Sequence, residues 1–205
     1  MFALNELLGR PFSLQELIVF AMQGERLVSG GTAHADNAAP AVAGGIQLIR
    51  GYHPLDIIRI RVPRSLHAAV IHPHITVRTA ESRSVMRPEI PMCDAVTQWG
   101  NVGGLIAGLL TENMELIGRS LNDAVAEPVR KGFIPQYDSL KQSALDAGAL
   151  GANIAGSGPS VFALCDSGAK ARQVGSALQS HFDRLGIEAD LYVCPISEQG
   201  ARVIV

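Results

Sequence analysis

The stretch that decides the fold is residues 152–165, Ala-Asn-Ile-Ala-Gly-Ser-Gly-Pro-Ser-Val-Phe-Ala-Leu-Cys. Two short apolar runs, 152–155 and 160–165, flank Gly156-Ser157-Gly158-Pro159-Ser160, and glycine, serine and proline are the residues that build tight turns. Downstream, Ala171, Val174, Ala177, Leu178 and Phe182 recur on one helical stripe. A strand then follows in which Ala189, Leu191 and Val193 alternate with polar positions. Upstream, residues 68–72 read as a strand, and several helices fill the interval to 152. With those helices merged, the order from Leu66 onward is β-α-β-β-α-β, the split βαβ order of a ferredoxin-like sandwich. The boundary with what precedes it is expected near Pro63.

Before that boundary the chain opens on a helical pattern over residues 1–8, with Leu4, Leu7 and Leu8 on one face and a stop at Gly9 and Pro11. No Ser, Thr, Asp or Asn precedes this helix, so it is expected to begin as if cut from something longer. A second start is complete: Ser13 with Glu16 forms a capping box, and Phe12 is placed to staple onto Leu17. The helix it opens carries Leu14, Leu17, Ile18, Ala21 and Met22 on one stripe and runs out at Ser29-Gly30-Gly31. Residues 30–44 are rich in glycine, alanine and small polar residues and read as a functional loop with a short helix turn. Strands are expected over 46–49 and 57–62. In the second, Ile58, Ile60 and Val62 alternate with Arg59 and Arg61, which predicts one buried and one wet face.

Composition narrows the function classes. Of 205 residues 47% are apolar, and 21 Gly and 11 Pro show no period, which excludes disordered and collagen-like chains. Charged residues make up 18% and nearly cancel to a net charge of -2, so composition suggests no electrostatic nucleic-acid binder. No apolar run approaches the roughly 20 residues of a membrane span, and no basic-then-apolar leader opens the chain. A soluble cytoplasmic protein is the expectation. Cys93, Cys165 and Cys194 are an odd number in apolar contexts, expected as three reduced core thiols.

Four segments hold residues suited to chemistry. In the turn 156–160, glycines let backbone N–H groups approach an anion and two serines add donors, which suits phosphate; a plain hairpin turn explains the same residues. In His34-Ala35-Asp36-Asn37, Asn37 can donate to and accept from a hydroxyl and Asp36 can hold a cation or ammonium; both are also ordinary cap residues. Thr79-Ala80-Glu81-Ser82-Arg83 and Glu127-Pro128-Val129-Arg130 each offer an arginine, and two converging guanidinium forks suit a carboxylate or phosphate. His72 and His74 share a strand face but lack a third metal ligand nearby, and read as structural.

Taken together, HADNAAP, TAESRSV, AEPVRKGFIP, GANIAGSGPSVFALC and the closing GARVI, in this order, resemble the homoserine kinases of the GHMP small-molecule kinase superfamily over nearly the whole chain. The resemblance implies an α+β GHMP kinase fold. Residues 1–63 would be a remnant of the N-terminal, ATP-binding domain, and residues 64–205 a complete ferredoxin-like C-terminal domain. It implies transfer of the γ-phosphoryl group of ATP, with Mg2+, to the side-chain hydroxyl of L-homoserine, in threonine biosynthesis. Asn37 would hold the reacting hydroxyl, supported by Asp36, with Thr79 beside the transferring group. Arg83 and Arg130 would clamp the substrate carboxylate. Gly156, Ser157, Gly158 and Ser160 would close over the phosphates. Glu25 would help hold Mg2+, with Gly30-Gly31 accounting for a spacing one residue longer than in the family.

Members of the family open with a substrate-binding segment and a PxxxGLGSSA-type loop whose helix N-terminus cradles the triphosphate, and neither occurs here. The chain is therefore expected to be truncated, to leave apolar surface open, to self-associate or form a homodimer, and to turn over no ATP by itself. Its two N-terminal strands are expected at an exposed sheet edge. Alternatives are a catalytically dead amino-acid-binding module and a GHMP kinase for another small hydroxy acid, such as a mevalonate-type kinase.

Overall fold

The computed structural model describes residues 1–28 and 34–204, so the expected helix end and insertion at Ser29-Gly30-Gly31 lie outside the described residues. The chain forms two compact units, one of residues 1–62 with the segment from Ser197, the other of residues 63–196. The C-terminal segment, assigned from sequence to the second domain, packs instead on the first unit. Its return depends on backbone contact: Gly45 N–H donates to Ser197 O at 2.7 Å and Ala201 N–H to Ala41 O at 3.0 Å. A side chain at Gly200 would put its Cβ 2.1 Å from Val42 O. Only glycine fits there, which gives the closing Gly-Ala-Arg string a steric reason.

In the first unit, α1 (Phe2–Leu7) is followed by α2 (Leu14–Val28), α3 (Ala35–Ala43), β1 (Ile46–Tyr52) and β2 (Leu55–Ile60). The Ser13–Glu16 capping box forms: Ser13 N–H and Ser13 Oγ each donate to Glu16 Oε2 at 2.8 Å, and Glu16 N–H donates to Ser13 Oγ at 3.3 Å. The serine backbone bond, then its hydroxyl, hold the Glu16 carboxyl below its usual pKa. Phe12 meets Phe20 edge-on at 5.1 Å. Leu17, Ile18 and Met22 are buried as the stripe required, but Leu14 stays half exposed. The expected leucine face of α1 is also exposed, and α1 is anchored by buried Asn5, whose side chain donates to Phe12 O and accepts from Phe12 N–H, both at 3.0 Å. Of the span expected as a loop with a short helix turn, Ala35–Ala43 form helix α3, and residues 30–33 lie outside the described residues.

Strands β1 and β2 pair antiparallel with a bulge between Ile49 and Gly51. Ile49, Leu55 and Ile57 pack against the core of α2 and α3. Ile60 and Val62 are buried and Arg59 and Arg61 exposed, as expected, yet Ile58 is exposed. Ile57 and Ile58 point to opposite faces, and only packing against the helices decides which of the two is covered.

The second unit contains β3 (His67–Pro73), α4 (Thr79–Ser84), α5 (Met92–Thr111), α6 (Met114–Ser120) and α7 (Glu127–Arg130). A 3-10 turn, Lys131–Phe133, leads into α8 (Tyr137–Asp146), β4 (Gly151–Ile154), β5 (Val161–Cys165), α9 (Gly168–Leu185) and β6 (Ala189–Pro195). The sheet order is β4-β5-β3-β6, antiparallel throughout. That is the ferredoxin-like arrangement read from the element order. Its core joins one sheet face, with Ile71, Ala152, Val161 and Ala163, to α8 and α9 through Leu140, Ala144, Val174, Leu178 and Phe182. Each large side chain fully buried there stabilises the fold by about 1.5–3 kcal/mol. The stripe of α9 and the alternation of β6 are as the sequence indicates, because both are local patterns facing one core.

Of the three thiols, only Cys165 is a core residue; Cys93 and Cys194 are exposed. Cys194 sits on β6 at a position alternating with the inward Val193, and Cys93 opens the free side of α5. Burial pushes the Cys165 thiol up to about 11.

One buried group links this unit to pH. His181 is 2% exposed, its Nε2 has no hydrogen-bond partner among the described residues, and its ring meets Phe182 edge-on at 5.5 Å. Burial holds its pKa below the ordinary value, opposed by a hydrogen bond to the Pro135 backbone. The unfolded chain takes up a proton near pH 6.5 that the native ring refuses. Stability from this site is therefore complete above about pH 6.5 and falls as pH drops below it. The denaturant midpoint should be lower at pH 5 than at pH 7.5, and His181→Phe should shrink the difference. Exposed His74 works oppositely, its pKa raised by Asp190 first and Glu188 after it. An unchanged pH profile in His181→Phe would reject the assignment to His181.

Candidate active site

The turn 156–160 joins β4 to β5. Ala155 N–H donates to Ser160 O at 2.8 Å and Gly158 N–H to Ala155 O at 3.0 Å, and Gly156 and Gly158 adopt φ of +58° and +78°. Positive φ at both glycines is the hairpin requirement. The N–H groups of Gly156 and Ser157 are left over by the turn's own hydrogen bonds. The turn is thus a hairpin between two antiparallel strands, one of the two readings made from the sequence.

Two other segments are hydrogen-bonded to this turn. Buried Ser82 of α4 donates its hydroxyl to Ser157 O at 2.9 Å. Arg130, at the end of α7, donates from Nη1 to Gly156 O at 2.8 Å and from Nε to Ser82 O at 3.4 Å. The TAESR helix, the EPVR helix and the GSGPS turn therefore form one network, through Ser82 and Arg130. A guanidinium has five N–H donors. Two are engaged here by backbone carbonyls, which fix the plane of the fork and leave the others for an anion. Arg83 is half-buried on α4, and Thr79 is exposed at the first position of that helix.

The short helix α7 is held by its own polar surroundings. The Asp123 carboxylate accepts from the N–H groups of Val125 and Ala126 at 2.8 Å and of Glu127 at 3.2 Å. Glu127 pairs with Lys141 of α8 at 2.7 Å, with side chains only 12% and 18% exposed. Burial, then the Glu127 charge, push the nearby Tyr137 hydroxyl well above the usual phenol range. A four-residue helix has almost no stability of its own, so these contacts set where Arg130 stands.

Sequence reasoning missed His72. Its Nδ1 lies 2.8 Å from Ser160 Oγ, because the pairing of Ile71 with Val161 sets residue 72 beside residue 160. His74 turns elsewhere, to Asp190 at 3.0 Å and Glu188 at 3.5 Å. Among the described residues no group of three or more His, Cys, Asp and Glu is arranged to hold a metal ion.

In the first unit, Asp36 and Asn37 are exposed in the first turn of α3. The N-cap is His34, so Asp36 and Asn37 lie in the first turn rather than at the cap position, where an acidic residue still suits a helix N-terminus. Glu25 is half-buried on α2.

The family model described as GHMP kinases C terminal matches residues 105–184. The chain is 54% identical over its whole length to the homoserine kinase of Chlorobaculum tepidum, of which it covers 63%. It is 51% identical, again over its whole length, to that of Chloroherpeton thalassium, covering 64%. The chain thus spans somewhat less than two thirds of the length of the curated relatives it matches. Among solved structures, the crystal structure of homoserine kinase from Cytophaga hutchinsonii superposes with a TM-score of 0.94 at 48% identity. That match covers 98% of this chain and 64% of the other.

Proposed function

We propose, since the chain belongs to the homoserine kinase family of the GHMP kinases, that it serves the ATP-dependent phosphorylation of L-homoserine to O-phospho-L-homoserine. Residues 1–62 would belong to the ATP-binding domain and the second unit to the GHMP C-terminal domain, and the reaction would run in the cytoplasm, supplying threonine biosynthesis. The observation that carries the reading is the network joining Arg130 to Gly156 and Ser82. It ties an arginine suited to a carboxylate to a turn suited to phosphate, which is what a kinase for a hydroxy amino acid needs. No helix among the described residues is long and apolar enough to cross a membrane.

Phosphoryl transfer needs little covalent chemistry from the protein and much positioning. Arg130 takes the substrate carboxylate on its remaining donors, and Arg83 supplies the second fork. The free N–H groups of Gly156 and Ser157 and the Ser157 and Ser160 hydroxyls face phosphate oxygens. Ser160 is oriented in this by His72. In the first unit, taken by itself, exposed Asn37 is the proposed holder of a hydroxyl with Asp36 supporting that turn, and in the second Thr79 is the proposed residue beside the transferring group. Bound Mg2+ would neutralise phosphate charge, with Glu25 as its carboxylate. Magnesium commonly takes one or two carboxylates and completes its shell with phosphate oxygens and water, so one protein carboxylate fits.

The test is an ATP-consumption assay with L-homoserine, R-mevalonate or no acceptor, run on a polypeptide that includes this chain and its flanking sequence. Homoserine-dependent turnover at roughly 1 per second or faster, with mevalonate at background, is the expected result. Homoserine binding without ATP turnover would favour an amino-acid-binding module instead, and turnover on mevalonate would reassign the substrate.

A further inference from the structure

Helix α3 carries Asp36 and Asn37 in its first turn, and by itself it is poorly held. It has nine residues, too few for a helix to persist in water without support. Pro40 sits inside it and has no N–H to give to Asp36 O, so a bond that would tie the first turn to the rest of the helix is missing. Its buried face is Ala35, Ala38 and Ala39, packed with Ile18 and Met22 of α2. Methyl groups make shallow ridges, which fix the distance between two helices better than the position of one along the other. At the N-terminal end, Ala35 N–H reaches the Tyr52 hydroxyl only at 3.4 Å.

The opposite end is gripped by the segment from Ser197. Ala201 N–H is shared between Ala41 O at 3.0 Å and Val42 O at 3.2 Å, two of the last four carbonyls, which no N–H of the helix itself reaches. Gly45 N–H donates to Ser197 O at 2.7 Å, and Arg59 Nη2 of β2 donates to Glu198 O at 2.6 Å. Ser197 Oγ donates to Gln199 O at 2.9 Å and accepts from Gln199 N–H at 3.3 Å, so the segment also holds its own turn. The fit is backbone on backbone from both sides. A Cβ at Gly44 would lie 2.5 Å from Gln199 C and Gly200 N, and one at Gly200 would overlap Val42 O.

We propose that residues 197–201 are a positioning strap for α3, with Gly200 and Arg59 as positioning residues for the phosphoryl-transfer reaction. The inference rests on the reading of Asn37 as the holder of the reacting hydroxyl. Asn37 lies four residues before Ala41, and residues four apart share one face of a helix. Seating the last turn therefore also sets where Asn37 stands. The first turn, lacking the Pro40 N–H, cannot supply that placement from within.

The test uses the polypeptide of the ATP-consumption assay. Gly200→Ala should lower kcat with homoserine about tenfold or more, since misplacing a reacting group by about 1 Å can cost about 100-fold, while the ATP KM changes little. Arg59→Met keeps the stem and removes the donor, and should lower kcat about threefold, the scale of one hydrogen bond. Arg59→Lys keeps a donor and should restore most of that loss. Amide exchange read by mass spectrometry should quicken over α3 in Gly200→Ala and Arg59→Met and stay unchanged over α2. In an Asn37→Ala background, Gly200→Ala should cost little more, because the group it displaces is already gone. Should Gly200→Ala lose its far-UV circular dichroism, the Arg59 series decides. The proposal is overturned by an unchanged kcat in the folded variants, by losses that add in full to that of Asn37→Ala, or by Arg59→Lys performing no better than Arg59→Met. A lower Tm with kcat retained would likewise overturn it, since the strap would then serve the fold alone. Full turnover in Asn37→Ala is a separate failure: it would overturn the reading of Asn37 itself, and the proposal with it.

Discussion

In the polypeptide used for the ATP-consumption assay, Arg130→Ala is expected to raise the homoserine KM between about 10-fold and 150-fold, the equivalent of the roughly 1.5–3 kcal/mol of a hydrogen bond to a charged group, since Arg130 is half-buried. The same guanidinium also fastens Gly156 O and Ser82 O, so kcat should fall too as the phosphate turn loosens. The ATP KM should move much less, since that turn keeps its own hydrogen bonds without the arginine. Steady-state kinetics with each substrate varied in turn checks this. Equal damage to both KM values would mean that Arg130 serves the nucleotide or the fold rather than the carboxylate. Arg83→Lys is the finer probe, because lysine keeps the charge and loses the planar fork.

Lys141→Met should cost about 3–5 kcal/mol of stability, since it leaves Glu127 with an unpaired charge in a largely buried place beside Tyr137. For a chain of this size that corresponds to a fall in Tm of roughly 6–20 °C, read by calorimetry. Adding Glu127→Gln should return most of the loss, because the pair removed together leaves no stranded charge. Activity divides the roles further: the double variant should stay folded yet bind homoserine less tightly, as α7 no longer has its anchor to α8. A loss under about 1 kcal/mol in Lys141→Met would show the pair to be an ordinary surface contact.

Much of this was legible in the chain itself, wherever a pattern is local and answers to one core. The stripe of α9, the alternation of β6 and the capping box of Ser13 and Glu16 each concern residues a few positions apart, and a helix or strand repeats its geometry over that range. The strand order followed because only a few topologies connect such elements without crossing. The family likeness, carried by strings of five to fifteen residues, pointed to the candidate site residues for the same reason.

Tertiary structure alone decided the rest. That Ser82 bonds the carbonyl of Ser157, and Arg130 that of Gly156, depends on how separate helices settle on the second unit, across 75 and 26 residues of chain. His72 reads as an unremarkable strand residue until the register of β3 against β5 puts it beside Ser160, 88 positions away. The largely covered Glu127–Lys141 pair looks in sequence like two ordinary surface charges. Cys93 and Cys194 share an apolar setting with Cys165 and differ from it in the face they occupy. Sequence periodicity says which residues share a side of an element; only packing says whether another element covers that side. For that reason Ile57 rather than Ile58 is covered, and the segment from Ser197 lies on the first unit.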